Sequence, residues 1–221
     1  RYESSAASDV YKRQIQHPRP AGQAPFFVNP DLQAAMDLSA IPAQPNIGLL
    51  HVVVEVPAGG RNKYEYLPVP GLMGLDRVLH PSVQYPFDYG FVPNTLAEDG
   101  SPLDAMVVME EPTFPGCLIL TRPIGMLEVI DNGRFDAKIL CVPANDPHLD
   151  RMSNLGQISA QQLEDIAEFF RTHRGLDGRM TEIQGWSEGL PVLEHIKRCI
   201  TAASEPPLPP PEEPDRSAED Q

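Results

Sequence analysis

The sequence is poor in cysteine, in long apolar runs and in positive charge, and each shortage removes a class of protein. Its three cysteines, Cys117, Cys141 and Cys199, are odd in number and form no CxxC pair. That argues against a disulfide framework or a zinc knuckle and leaves them as buried thiols of a reducing compartment. No stretch of about 18 apolar residues occurs, so no membrane-spanning helix is expected. Seventeen Lys and Arg stand against 31 Asp and Glu, a formal charge of -14, and nucleic-acid affinity rests largely on basic groups neutralising phosphates. A nucleic-acid partner is therefore not expected. The chain also lacks a GxxxxGK loop, a GxSxG elbow, an HExxH helix and any internal repeat, and its six histidines fall at no ligand spacing.

What is present is enough for one core. With 221 residues, 41% of them hydrophobic, the chain suits a single folded domain with polar ends. Residues 1–14 end in "DVYKRQ", which back-translates to a transposase end sequence used in sequencing-library preparation, and are read as adapter-derived. Residues 15–35 read as an extension or an upstream frame, and "MDLSAIPA" at Met36 resembles a natural start. The segment 204–221, "SEPPLPPPEEPDRSAEDQ", has six acids and one base among its prolines and is expected to be a disordered tail. Its charge is -5 and that of residues 1–35 is +1, which leaves -10 on 36–203. An excess of carboxylates on the folded part suits a site that collects cations.

Apolar runs bounded by turn residues predict five strands, at 49–56, 105–109, 117–127, 137–142 and 180–186. Ser159 and Gln162 form a capping-box signature ahead of a helix whose Leu163, Ile166, Phe169 and Phe170 share one face, with Gly175 as its C-cap. A second helix is expected from Pro191, with Val192, Ile196 and Ile200 on one side. The fold class is α+β: a small OB-like barrel of five strands followed by two main helices.

Acids and bases recur together along this frame. Lys63 and Glu65 alternate on an extended "NKYEY", Asp99 and Asp104 bracket a turn before a strand, and Asp131 and Asp136 bracket "NGRF" with Lys138 two residues on. Side chains two apart on a strand point the same way, so Lys63 faces with Glu65 and Asp136 with Lys138. Clustered oxygen ligands suit Mg²⁺, and Lys, Arg and Tyr donors suit phosphate oxygens. Each piece also has a plainer reading. "DNG" at 131–133 is a hairpin turn by itself, Asp99 precedes a glycine, Glu55 in "VVVEV" fits an outward-facing strand position, and "QYPFDYGFVP" fits an aromatic core and turn.

The order and wording of these pieces decide between the two. "VVVEVPAG", "NKYEY", "LDRVLHPSVQYPFDYGFVPNTLAEDG", "PLD", "RPIGMLEVIDNGRFDAKILCVP", "FFRT" and a closing "GW" together resemble the soluble family I inorganic pyrophosphatases over about Met36 to Ala203. The most specific part is the D-G-D-P-x-D signature, here "DGSPLD". The resemblance implies an OB-like barrel that splits pyrophosphate into two phosphates with Mg²⁺, in a cytoplasmic homo-oligomer. It implies Asp99, Asp104, Asp131 and Asp136 as metal ligands and Glu55 and Glu65 as outer carboxylates. It makes Lys63, Arg77, Tyr89 and Lys138 phosphate donors, with Tyr85 a supporting aromatic.

Four positions depart from the family pattern. Ser101 stands where the family has the aspartate that takes the water's proton, Asn132 where many bacterial members have Glu, and His173 and Arg174 where a Tyr-Lys pair holds the product-side phosphate. Arg for Lys keeps the charge and His for Tyr keeps a ring and a donor. Serine is no base at pH 7 without activation. The resemblance therefore allows a slow hydrolase or, as the alternative, an impaired paralogue that binds phosphate or pyrophosphate in a regulatory or assembly role.

Overall fold

The computed structural model describes residues 37–173 and 181–204. Among them are eight strands, β1 (Leu50–Val56), β2 (Asn62–Leu67), β3 (Leu72–Val78), β4 (Asp88–Phe91), β5 (Asp104–Val107), β6 (Leu118–Asp131), β7 (Arg134–Pro143) and β8 (Thr181–Ser187), and two α-helices, α1 (Ala160–Thr172) and α2 (Leu190–Ser204). Five strands close into a ring in the order β1-β4-β5-β7-β6, because β6 pairs back onto β1; β8 extends the sheet from β6, and β2 and β3 form a separate two-stranded ribbon. The sheet is mixed, with β5 and β7 parallel and the other pairs antiparallel.

The count of five is right for the ring but one member differs from the sequence expectation. The strand at 181–187 lies outside it, on the far half of β6 from Met126 to Asp131, while β4 from "QYPFDYGFVP" takes the ring position between β1 and β5. β4 is only four residues long and carries Asp88 and Gly90, residue types depleted in strands, so no apolar run marked it.

The ring is buried on both faces. Ala105, Val107, Ile139 and Cys141 join one cluster with Val192, Ile196 and Cys199 of α2, while their neighbours Met106, Leu140 and Val142 join a second with Ile166, Phe169 and Phe170 of α1. Successive strand residues point to opposite faces, so a strand covered twice reads as a continuous apolar run. Both helices arise where local signals put them: the Ser159 hydroxyl accepts from the Gln162 N–H at 3.1 Å and the Gln162 side chain answers the Ser159 N–H at 3.3 Å. The expected C-cap at Gly175 lies outside the described residues. Of the cysteines, Cys141 and Cys199 are buried free thiols, whereas Cys117 is only half-buried. Burial pushes the Cys141 thiol up to about 12, so it is unreactive at neutral pH. No helix among the described residues is long and apolar enough to cross a membrane.

Two local features aim side chains at one end of the ring. The pairing of β1 with β4 slips by one residue between Val54, opposite Gly90, and Val56, opposite Tyr89. The unpaired residue is Glu55, and such a bulge re-aims its side chain. Beside it, a Cβ on Gly90 would stand 1.9 Å from the Val53 carbonyl oxygen, so only glycine lets β4 lie flush against β1. Gly90→Ala is expected to cost about 1–3 kcal/mol by overpacking, which at 2–4 °C per kcal/mol for a chain of about this size lowers the thermal midpoint by about 2–12 °C. A midpoint within 1 °C of wild type in thermal denaturation would show that the strands can part.

Candidate active site

Parallel pairing of β5 with β7 sets Asp104 directly opposite Lys138, and Asp136 lies two residues before Lys138 on the same face. The Lys138 ammonium donates to Asp104 and, at 2.6 Å, to each oxygen of Asp136. Tyr89 on β4 donates its phenol to the same Asp104 carboxylate. Four residues from three adjacent strands thus meet at one point. Lys138 is only 5% exposed, and burial alone would lower its pKa; the charges of Asp104 and Asp136 outweigh that and hold it above the usual lysine range. Two carboxylates share that one ammonium, so Asp136 is raised, chiefly by burial and partly by Asp104, despite Lys138 beside it. Tyr89 is raised well above the usual phenol range by burial and then by Asp104, so it stays a donor.

Above this cluster opens a cavity of about 810 Å³ lined by Glu55, Glu65, Asp99, Asp104, Asp131 and Asp136 and by Lys63, Arg77, Lys138, Tyr85, Tyr89, Ser101 and His173. Every site residue proposed from the sequence within the described residues therefore borders it; Arg174 lies outside them. The ribbon contributes Lys63 opposite Arg77, with Lys63 bonded to Glu65 at 2.6 Å and within 3.6 Å of Asp76, to which Arg77 also pairs at 3.0 Å. Glu55 is 9% exposed, which corrects the outward-facing option. It accepts from the Tyr66 N–H at 3.2 Å. Burial, then the Asp104 charge, pushes it up to about 8.

An aromatic wall closes one side. Tyr85 packs against Phe169 at 4.6 Å and Tyr89 at 5.4 Å between ring centroids, His173 stacks on Phe169 at 4.9 Å, and Lys138 lies over Phe170 at 5.9 Å. In the acidic loop, the Ser101 hydroxyl donates to the two Asp99 oxygens at 2.7 and 2.8 Å, and the Ser101 N–H reaches one of them at 3.0 Å. Ser101 therefore serves as a donor to its acidic neighbour and fixes its orientation.

The carboxylates fit a divalent cation by chemistry: six hard oxygen donors face one space, and the pair at its base already holds a positive charge, the Lys138 ammonium. Among the described residues, no group of three or more His, Cys, Asp or Glu is gathered closely enough to hold a metal as it stands. Two residues not singled out in the sequence also matter. Arg134 lines the cavity; counting back by two from Lys138 and Asp136 along β7 would have found it. Asp88, fully buried next to Tyr89, accepts from the Ala58 N–H at 2.8 Å and the Thr113 N–H at 2.9 Å, pinning two loops to β4. It had no signal in the sequence, since both partners are more than 20 residues away.

Comparison with known proteins agrees with this geometry. The family model described as inorganic pyrophosphatase matches residues 52–204. The inorganic pyrophosphatase of Synechocystis sp. is 54% identical over 165 residues, 75% of this chain and 98% of that one; that of Geobacillus stearothermophilus is 41% identical over 157 residues, 71% and 95%. The crystal structure of inorganic pyrophosphatase from Thermus thermophilus superposes with a TM-score of 0.72 at 38% identity, covering 76% of this chain and 99% of that one. With its five-strand ring, its acidic cavity and these relatives, the chain belongs to the inorganic pyrophosphatase family.

Proposed function

We propose that this protein hydrolyses inorganic pyrophosphate to two phosphates with Mg²⁺, in an OB-like barrel whose open end is the acidic cavity. The observation that carries this is the convergence, in one space, of six carboxylates with Lys63, Arg77 and Lys138. A tetra-anionic phosphoanhydride needs cations on both sides of the scissile bond, and this lining supplies sites for metals as well as fixed donors.

Asp99, Asp104, Asp131 and Asp136 would hold the metal, with Glu55 and Glu65 as outer carboxylates. A bound divalent cation supplies charge neutralisation and a more acidic water. The chain's own groups do the rest. Lys138, held protonated by Asp104 and Asp136, and Tyr89, held so by burial and then by Asp104, donate to phosphate oxygens; Lys63 and Arg77 do so from the ribbon, and Tyr85 with the Phe169 and Phe170 wall keeps water from one side. His173 and Arg174 hold the product-side phosphate. As the water oxygen attacks one phosphorus, the bridging P–O bond breaks, the departing phosphate takes its electron pair, and the proton the water gives up passes to an oxygen of that departing phosphate.

A second reading is favoured by one observation. The Ser101 hydroxyl is committed to Asp99 and is not a base, so a protein that binds pyrophosphate without turning it over is the alternative. One assay separates them: phosphate release from pyrophosphate with Mg²⁺, beside an EDTA-treated control. Release abolished by EDTA supports the hydrolase; no release, with calorimetric binding of pyrophosphate retained, supports the binder.

A further inference from the structure

We propose that Arg134 is a further substrate-contacting residue, binding an outer phosphate of the phosphoanhydride at the mouth of the cavity and so setting how tightly substrate is captured. This rests on the pyrophosphatase reading above. The placement begins in a two-residue turn. Asn132 and Gly133 have φ of 51° and 78°, the left-handed pair that an Asn-Gly hairpin supplies, and the turn sets Arg134 directly opposite Asp131 at the start of β7. Opposed residues of an antiparallel pair share a face, and residues two apart along a strand do too. Arg134, Asp136 and Lys138 therefore form one stripe, and all three line the cavity together with Asp131.

Burial is graded along that stripe: Lys138 is buried, Asp136 half-buried and Arg134 exposed. The stripe thus runs from the base of the cavity to its mouth. Two residues of strand span roughly 7 Å, and the flexible arginine side chain covers such a gap. What distinguishes Arg134 is its freedom. Lys63, Arg77 and Lys138 are each paired with carboxylates. Among the described residues, Arg134 is the one cationic side chain of the lining with no hydrogen bond or ion pair to any of them. Contact with an anion there breaks no existing pair, and the guanidinium offers a two-pronged donor that matches phosphate oxygens. Its charge also offsets the net negative mouth that Asp131 and Asp99 present to an approaching anion.

The test is steady-state hydrolysis of pyrophosphate at saturating Mg²⁺ by the full chain and by Arg134→Ala and Arg134→Lys. At an exposed rim one charge-assisted contact changes affinity by about three- to tenfold. KM is expected to rise at least threefold in Arg134→Ala with kcat within twofold, Arg134→Lys to recover part of the loss, and the thermal midpoint to stay within about 1 °C because no partner in the described fold is lost. A KM change below threefold overturns the proposal, as does a fall in kcat larger than the rise in KM. If wild type binds pyrophosphate without hydrolysing it, the hydrolase reading fails separately. Calorimetry with pyrophosphate and Mg²⁺ then decides: a dissociation constant raised threefold or more in Arg134→Ala supports the proposal, and a smaller change overturns it. Wild type that neither hydrolyses nor binds pyrophosphate overturns both.

Discussion

Ser101→Asp is expected to raise kcat for pyrophosphate at saturating Mg²⁺ by at least tenfold, and to make the protein less stable without metal. The hydroxyl of Ser101 lies 2.7 and 2.8 Å from the two Asp99 oxygens, and it spends its single proton on that carboxylate. An aspartate there adds a base to the loop whose Asp99 would, in the proposed reaction, help hold the metal that carries the attacking water. General-base assistance is worth typically ~10² to 10⁴ in rate, or about 3–5 kcal/mol of barrier. The gain is expected in kcat more than in KM, because a base acts on the transition state and hardly on bound substrate. The same change turns a hydrogen bond into a contact between two anions. Because Asp99 is exposed and solvent screens the pair, that repulsion is about 1 kcal/mol, which lowers the metal-free midpoint by about 2–4 °C and raises the Mg²⁺ concentration needed for half-maximal rate. An unchanged kcat beside an active wild type would show that the water loses its proton elsewhere.

Asp104→Asn is expected to weaken Mg²⁺ binding and to reduce hydrolysis, each by about 10- to 100-fold, the first measured by calorimetry. Taken alone, the sequence suggests that removing one carboxylate from a crowded acidic site relieves repulsion and stabilises the metal-free fold. The geometry reverses that expectation. Asp104 accepts from Tyr89 and from the buried Lys138, so its charge helps offset the cost of keeping that cation out of water. Asp136 still holds Lys138 after the substitution, which limits the loss to about 1–3 kcal/mol. The metal-free midpoint is therefore expected to fall. A midpoint equal to or above wild type would mean that repulsion among the carboxylates dominates, and unchanged Mg²⁺ affinity would remove Asp104 from the ligand set.

Much of the site was legible because its parts are local. Lys63 with Glu65 and Asp136 with Lys138 follow from the two-residue period of a strand, and both pairs meet at 2.6 Å. The acidic loop carries its own turn residues, and the hairpin at Asn132 and Gly133 needs only two positive φ angles. Glu55 was not legible. An acid in a run of valines fits an exposed strand position equally well, and what turns it inward is a slip in pairing with β4, some 35 residues away. Nor was the service of Ser101 to Asp99, since the family pattern points to the residue missing there and not to the bond the serine makes.

The same division holds for the fold. By itself the sequence determined the two helices, with the capping box of Ser159 and Gln162 at the start of α1, the tight hairpin between β6 and β7, and the set of acidic and basic residues that border the cavity. These rest on hydrogen bonds and backbone angles settled within a few residues. Only the tertiary structure decided which strands close the ring, that the strand at Thr181–Ser187 stays outside it, and that Asp104 stands across from Lys138. Where both faces of a strand are buried the alternation that encodes its partner vanishes. Pairing is then chosen by the packing of two cores, one under α1 and one under α2, which no short stretch of sequence contains.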